Sequence, residues 1–335
     1  MKIGIQKGKG FSKQWIGYCE EKEIPYKIVN CYSSDIVQQL SDCDALMWHF
    51  RHDNYRDVLF AKQLTFSLEA AGKKVFPDSN TCWHFDDKLG QKYLLEAIGA
   101  PLIPSYVFYD DVSALQWIEE TSFPKVFKLR GGAGSANVKL VKSKKHARKL
   151  VRKAFGKGFS QFDRLNYLKE RTRKFREGKD SFSGFLKGVG RLFITTEFAR
   201  MRNNEKGYIY FQDFISGKDH DFRIVVIGDK SFGLKRMVRK NDFRASGSGN
   251  YYCLTDVFDP ELISLAFQLS EKIKSQCIAY DFIVDKGKPL TVEISYGFPP
   301  RFFKHCNGYW DSNLKWHEGK FNPQDWMVEQ IINRK

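Results

Sequence analysis

Ala279-Tyr-Asp281-Phe-Ile-Val-Asp285-Lys-Gly-Lys-Pro-Leu-Thr-Val-Glu293-Ile-Ser295 is the stretch from which the rest of the chain is best read. Apolar residues flank Asp281 and Glu293, and Asp285 to Lys288 between them reads as a turn. A β-hairpin is expected, Ala279–Val284 against Pro289–Ser295, with both acids near one end of the paired strands. Buried carboxylates so placed repel each other unless a cation sits between them, and hard oxygen ligands point to Mg2+. Mg2+ held by one or two carboxylates is the usual companion of nucleotide phosphates. Two unrelated surface acids at strand ends would leave the same pattern, so the rest of the chain must decide.

Toward the N-terminus the pattern is of another kind. Short apolar strands are expected at Lys2–Gln6, Tyr26–Cys31, Ala45–Phe50 and Lys74–Phe76, with helices at Lys13–Lys22, Ser34–Ser41 and Asp53–Ala71 between them. That alternation describes a parallel, doubly wound α/β sheet. Gly8-Lys9-Gly10 after the first strand can meet an anion through backbone N–H groups, yet lacks the third glycine of a dinucleotide fingerprint; a plain turn is the competing reading. A helix over Lys88–Ile98 ends at Gly99-Ala100-Pro101. Strands at Ser105–Phe108 and Phe123–Arg130 follow, the second entering Gly131-Gly132-Ala-Gly134-Ser135, with Asn137–Val141 returning. A glycine-rich link between antiparallel strands differs from a Walker loop, which leads into a helix. Its backbone N–H groups can close over phosphates as a flap; a glycine-rich hairpin without a ligand is the alternative.

The chain has 335 residues, 42% of them hydrophobic and 15% aromatic, enough for packed cores in two or three domains. No apolar run approaches the roughly 18 residues that span a bilayer, and the N-terminus enters a strand without a signal-peptide pattern. The seven cysteines are scattered and never in C-x-x-C, the usage of a reduced cytoplasmic protein. No histidine spacing suits zinc. The net charge of +16 is concentrated: residues 142–207 hold 20 Lys/Arg against 6 Asp/Glu, a balance of +14. Basic helices are expected at Lys144–Phe155 and Gln161–Arg176, with Phe162, Leu165, Leu168 and Phe175 at helical spacing as packing residues. A solvated basic face is one reading of this segment, a platform for a polyanion the other. No RNA motif is present, which disfavours nucleic acid.

From Tyr208 strands resume at Tyr208–Phe214, Asp221–Ile227 and Phe232–Val238, and helices are expected at Pro260–Ser275 and Asn322–Ile332. Lys88 and Lys128, the latter just before the flap, can each neutralise phosphate. Arg223, Arg236 and Arg244 are suited to bidentate contacts with phosphate or carboxylate oxygens. Singly these are ordinary surface cations; their order along the chain is specific.

That order resembles the ATP-grasp superfamily and, within it, carboxylate–amine ligases such as glutathione synthetase, D-alanine–D-alanine ligase and the ribosomal-protein glutamate ligase. The resemblance covers roughly residues 1–141 and 205–300. It runs through Asp87-Lys88-Leu, Pro124-Lys-Val-Phe-Lys128 with the flap, Phe211-Gln-Asp213-Phe-Ile215 with Asp221-Phe-Arg223, Asp242-Phe-Arg244-Ala-Ser246-Gly-Ser-Gly, and Asp281 with Glu293-Ile-Ser. It implies an α/β fold, α+β in the C-terminal half. A doubly wound pre-ATP-grasp domain at 1–84 would be followed by a small lid subdomain at 85–141. The basic insert at 142–207 would then lead into a C-terminal subdomain at 208–335.

It further implies that Lys88, Lys128 and the flap residues Gly132, Gly134 and Ser135 hold ATP phosphates. Gln212, Asp213 and Ile215 would form the adenine hinge, with Asp213 a contact to ribose or adenine. Arg223 and Arg236 would steady the transferred phosphoryl group, with Arg244 a third catalytic candidate. Asp281 and Glu293 would bind one or two Mg2+ ions. The family's third ligand is usually an Asn two residues after the Glu; Ser295 stands there, which marks a site with fewer or weaker metals.

The reaction implied is ATP-dependent activation of a carboxylate as an acyl phosphate, then attack by an amine. The partners would be small-molecule, peptide, carrier-linked or acidic-glycan substrates, with a homodimer an open possibility. An ATP-grasp kinase acting on a hydroxyl, and a polyanion-binding module with a secondary ATP site, are the rival readings.

Overall fold

The computed structural model describes residues 1–131, 137–160, 163–176, 178, 180–194, 197–201, 203–239, 250–253, 257–300 and 303–333. Its N-terminal sheet has four parallel strands, β1 (Ile3–Gln6), β2 (Tyr26–Val29), β3 (Ala45–Met47) and β4 (Lys74–Phe76), in the order β2-β1-β3-β4. Continuous apolar strands such as Ala45-Leu-Met47 are buried on both faces, as a doubly wound sheet requires. Helices Ser12–Glu21 and Tyr55–Ala70 accompany it, the second opened by Asn54, whose side chain accepts from the Arg56 N–H.

A second sheet is antiparallel: β5 (Ser105–Phe108), β6 (Lys125–Lys128), β7 (Lys139–Val141) and β8 (Ile209–Asp213), in the order β5-β8-β6-β7. Thus Ile209–Asp213, grouped in the sequence with the C-terminal part, hydrogen-bonds into the sheet that carries Lys128. Helix Lys144–Ala154 lays Ala147, Leu150, Val151 and Ala154 into the core of this sheet. The most basic of the expected helices is therefore half a core element.

The third sheet has seven strands: β9 (His220–Ile227), β10 (Lys230–Met237), β11 (Tyr251–Tyr252), β12 (Cys277–Asp285), β13 (Lys288–Ser295), β14 (Gly308–Asp311) and β15 (Trp316–Glu318). Its main path runs β13-β12-β9-β10-β14-β15, with β11 beside β10. The last two strands were not expected. They are only four and three residues long, and cross-strand aromatic pairs hold them, Trp310 on Trp316 and Tyr309 on His317. Helix Pro323–Asn333 closes a core shared by the first and third sheets, with Trp326, Met327 and Ile331 packed among Ile3, Phe76, Val225 and Phe232.

The second and third sheets meet along the outer edge of β13. The Thr291 N–H donates to the Pro101 carbonyl (2.6 Å) and the Ile103 N–H to the Thr291 carbonyl (3.1 Å). The segment leading into β5 is thereby fixed on the expected hairpin.

In the insert two helices pair, Arg164–Arg176 and Phe182–Phe193, followed by a short turn at Glu197–Arg200. The second was missed because Gly184, Gly188 and Gly190 lower helix propensity along it. Phe175, expected to pack, is 40% exposed and meets Phe182 of the neighbouring helix, and Gly188 of that helix sits against Leu168 and Arg171. Phe162 and the Leu165 side chain lie outside what is described. Among the described residues no helix is long and apolar enough to cross a membrane.

Candidate active site

The expected hairpin forms, and its register brings the two acids face to face: Asp281 pairs with Glu293 across β12 and β13. On the other side of β12, Asp281 stands opposite Arg223 of β9, and Asp221 of β9 stands opposite Arg236 of β10. Directly opposed residues share a sheet face, as do residues two apart on one strand. Glu293, Asp281, Arg223, Asp221 and Arg236 therefore form one patch. A bulge between Asp281 and Phe282 leaves Val292 as an extra residue on β13.

The patch is tightly paired. Arg223 donates from Nε and Nη2 to both Asp281 oxygens (2.6 and 2.8 Å), and Arg236 does the same to Asp221 (2.7 Å each). Arg236 also reaches Asp281 Oδ2 at 2.8 Å. Burial works to raise the Asp281 pKa, but the Arg223 and Arg236 guanidinium groups outweigh it and hold the carboxyl down at about 2. At Asp221 burial wins, so its pKa rises in spite of Arg236. Burial works to lower the Arg236 pKa; the two carboxylates overcome it and hold the guanidinium protonated.

Facing this patch are Lys88 and Lys128, both buried. Lys128 ends β6; burial lowers its pKa to about 8, with Glu293 opposing that shift and Lys88 adding to it. Lys88 is the first residue of helix Lys88–Ala97, whose N-cap Asp87 accepts from the Leu89 and Gly90 N–H groups (3.1 Å each). A lysine in the first turn opposes the helix dipole, whereas an anion there is favoured by both. The Lys88 N–H donates to the Arg130 carbonyl (2.9 Å), and the Arg130 N–H to the Tyr208 hydroxyl (2.7 Å), which fixes the root of the glycine segment beside Lys88. At Gly131 a Cβ would lie 3.1 Å from Asp86 Oδ2, so the close approach suits glycine. Gly132, Gly134, Ser135 and Arg244 lie outside the described residues.

Of the residues expected to form the hinge, Gln212 and Asp213 have their polar groups engaged. Gln212 is buried and donates to Ser105 Oγ (3.1 Å) and, at 3.5 Å, to the carbonyl of the bulged Val292. Asp213 accepts from Lys125 Nζ at 2.6 Å. Ile215 follows the strand and is half-buried. Ser295 Oγ is held in a local turn, donating to the Gly297 carbonyl (3.0 Å) and accepting its N–H (3.2 Å).

A nucleotide fits this arrangement on two observations: a pair of buried ammonium groups with like charges facing each other, and four cations (Lys88, Lys128, Arg223, Arg236) around three carboxylates. Mg2+ fits Glu293, which has no ion pair within 4.0 Å among the described residues. At Asp281 a metal would have to share oxygens that two guanidinium groups already hold. Among the described residues no group of three or more His, Cys, Asp or Glu side chains could hold a metal ion. A cation here would rest on one or two carboxylates and on phosphate oxygens, as Mg2+ commonly does.

A crevice of about 580 Å3 opens at the carboxyl ends of β1 and β3, the topological switch point of the parallel sheet. Tyr32, Trp48 and Tyr55 wall it, and Lys7, Lys9 and Arg56 stand at its rim. At its inner side His49 Nδ1 accepts the Phe11 N–H (3.3 Å), which puts the ring proton on Nε2. Burial, with Arg51 and His52, lowers the His49 pKa to about 3, so Nε2–H is a neutral donor. A Cβ on Gly297, two residues beyond Ser295, would lie 3.4 Å from that nitrogen. Sequence reading missed His49 and the acid–arginine pairing; the sole signals were the His49-x-x-His52 spacing and Asp221 two residues before Arg223.

No protein-family model matches the chain. The α-aminoadipate–LysW ligase LysX of Saccharolobus solfataricus is 22% identical over 289 residues, 84% of this chain and 86% of its own length. The RimK domain ATP-grasp protein of Sphaerobacter thermophilus superposes with a TM-score of 0.52 at 15% identity, covering 88% of this chain and 90% of that one. The ATP-grasp ligase PsnB, solved with a minimal precursor, Mg and ADP, superposes with a TM-score of 0.55 at 12% identity, covering 99% and 98%. The fold is the one the ATP-grasp proteins share. Within that class the likeness to the carboxylate–amine ligases, read first from the residues, is borne out by the LysX relative.

Proposed function

We propose that this chain is an ATP-dependent ligase that activates a substrate carboxylate as an acyl phosphate and joins it to an amine. The observation that carries the reading is the row Glu293–Asp281–Arg223 with Arg236, set opposite the buried Lys88 and Lys128. Lys88 and Lys128 bind nucleotide phosphate; Gln212, Asp213 and Ile215 would receive the base. Arg223 and Arg236, locked by Asp281 and Asp221, present fixed positive charge to the phosphoryl group in transfer, so little reorganisation is needed as charge develops. Glu293, with Asp281, would hold Mg2+, which when bound neutralises phosphate charge and orients the phosphates. Gly132, Gly134 and Ser135 are proposed to close over the phosphates and keep water from the activated carboxyl.

The crevice beside His49 supports a substrate that carries a negative charge and a ring or chain able to lie on Tyr32 and Tyr55. An acidic sugar or a peptide carboxylate has that chemistry, and a carrier-linked one is supported by the carrier named in the LysX relative. His49 Nε2–H would orient the carboxyl group toward the hairpin.

The test is ADP release screened over amino acids crossed with uronic acids, peptides and acidic glycans, with hydroxylamine added as a trap. A hydroxamate is expected with the true carboxylate. ADP release without hydroxamate formation overturns the ligase reading in favour of phosphorylation of a hydroxyl.

A further inference from the structure

The helix Phe182–Phe193 shows two large apolar side chains to water. Gly188 is buried against helix Arg164–Arg176, where a Cβ would lie 3.1 Å from Arg171 Cβ and 3.3 Å from Leu168 Cδ1. Phe182 and Leu186, one turn apart, point outward and are 59% and 51% exposed. An amphipathic helix ordinarily packs such residues and shows its small ones to water. Phe175 on the paired helix, 40% exposed, meets Phe182 with ring centroids 6.0 Å apart. Ile194 and Met201 extend the set at 66% and 60%. Exposed apolar residues scattered singly need no explanation, whereas a cluster along one segment does.

The same segment carries exposed cations, Lys169, Arg176, Lys187 and Arg200, within the stretch whose balance is +14. A soluble polyanion would satisfy the charges and leave Leu186, Ile194 and Met201 in water; bases could stack on the phenylalanines but not on those three. An anionic bilayer satisfies both, its headgroups taking the cations and its acyl boundary taking the apolar face. We propose that the outer face of this helix pair docks the protein on an anionic lipid surface. The same segment borders two cavities: Glu197 lines the crevice beside Lys7 and Arg56, and Met201 lines a second cavity of about 530 Å3 with Leu59 and Arg130. Docking would therefore bring the crevice mouth to the membrane plane.

The experiment is co-sedimentation of the full chain with vesicles of phosphatidylcholine alone and of phosphatidylcholine mixed with phosphatidylglycerol. Binding is expected only to the mixed vesicles, weakening as salt is raised. The double variant Phe182→Ser with Leu186→Ser should reduce that binding about tenfold or more, with its melting temperature unchanged. Leu314→Ser, an exposed apolar position far along the chain, should leave it intact. No binding to anionic vesicles overturns the proposal, as does equal binding by the double serine variant. Tighter binding of polyuridylate than of vesicles, insensitive to the serine changes, overturns it in favour of a plain charge platform.

Discussion

Arg236 and Asp281 are buried, Arg223 and Asp221 mostly so, and all four are joined oxygen to nitrogen, whereas Lys169, Arg176, Lys187 and Arg200 stand in water in the same segment as the exposed Phe182 and Leu186. Both regions are rich in charge, yet burial makes the first set specific and exposure makes the second interchangeable. In the first, every carboxylate removed leaves a guanidinium short of a partner in a poorly solvated place. In the second, each charge is screened and contributes little alone, and only the sum and the apolar company distinguish a partner.

The largest effects should come from breaking the first region. Lys128→Ala and Glu293→Ala should each cut ADP release about 100-fold or more. The two opposed acids should then separate in a urea titration. Asp281→Ala, which strips Arg223 and Arg236 of a shared carboxylate, should cost about 3–5 kcal/mol, and Glu293→Ala less than about 1 kcal/mol. Unchanged ADP release in the Lys128 or Glu293 variant would remove those residues from the site. Equal stability loss at the two acids would remove the distinction drawn between them.

A smaller effect follows from Lys128 itself. Its pKa in the folded chain is lowered to about 8 from 10.5, so ATP affinity should weaken as pH rises past about 8. The sign for stability is the opposite. Between about 8 and 10.5 the unfolded chain binds more protons at this residue, so the free protein gains stability as pH rises through that window. Lys128→Arg, which keeps its charge, should flatten the affinity profile; an unaltered profile would show that another group sets it. The smallest effect is expected in the second region. Lys169→Ala and Lys187→Ala should shift stability by less than about 0.5 kcal/mol and leave ADP release with soluble substrates nearly unchanged.

What could be read from the residues divides along the same line. The hairpin was legible because Asp281 and Glu293 interrupt otherwise apolar strands across a Lys-Gly turn, a purely local signal. Lys88 and Lys128 followed from their order along the chain. The pairing of Arg236 with Asp221 and Asp281 was hidden, since it depends on the neighbours of β9, which no local pattern states. Gln212 and Asp213 look like free polar groups in sequence, yet Ser105 and Lys125, about a hundred residues away, hold them. In the insert the glycines masked a helix, and Phe175, expected to pack, does so only in part, meeting Phe182 while 40% exposed. The segment 240–249, with Arg244, lies outside the described residues and adds nothing to either side of the comparison.

The extra residue Val292 has a consequence for how this strand tolerates length changes. Ordinary alternation would set Thr291 on the same face as Glu293; instead Thr291 pairs with Phe282 and is buried. Deleting Val292 would leave Asp281–Glu293 and Phe282–Thr291 as consecutive pairs of a regular ladder, and what would go is the bulge and the carbonyl that Gln212 reaches. A residue lost elsewhere within β13 would shift the register by one and turn its side chains to the other face. The strand therefore has one point at which it can shed a residue and keep its pairing, set by a residue with no chemistry of its own.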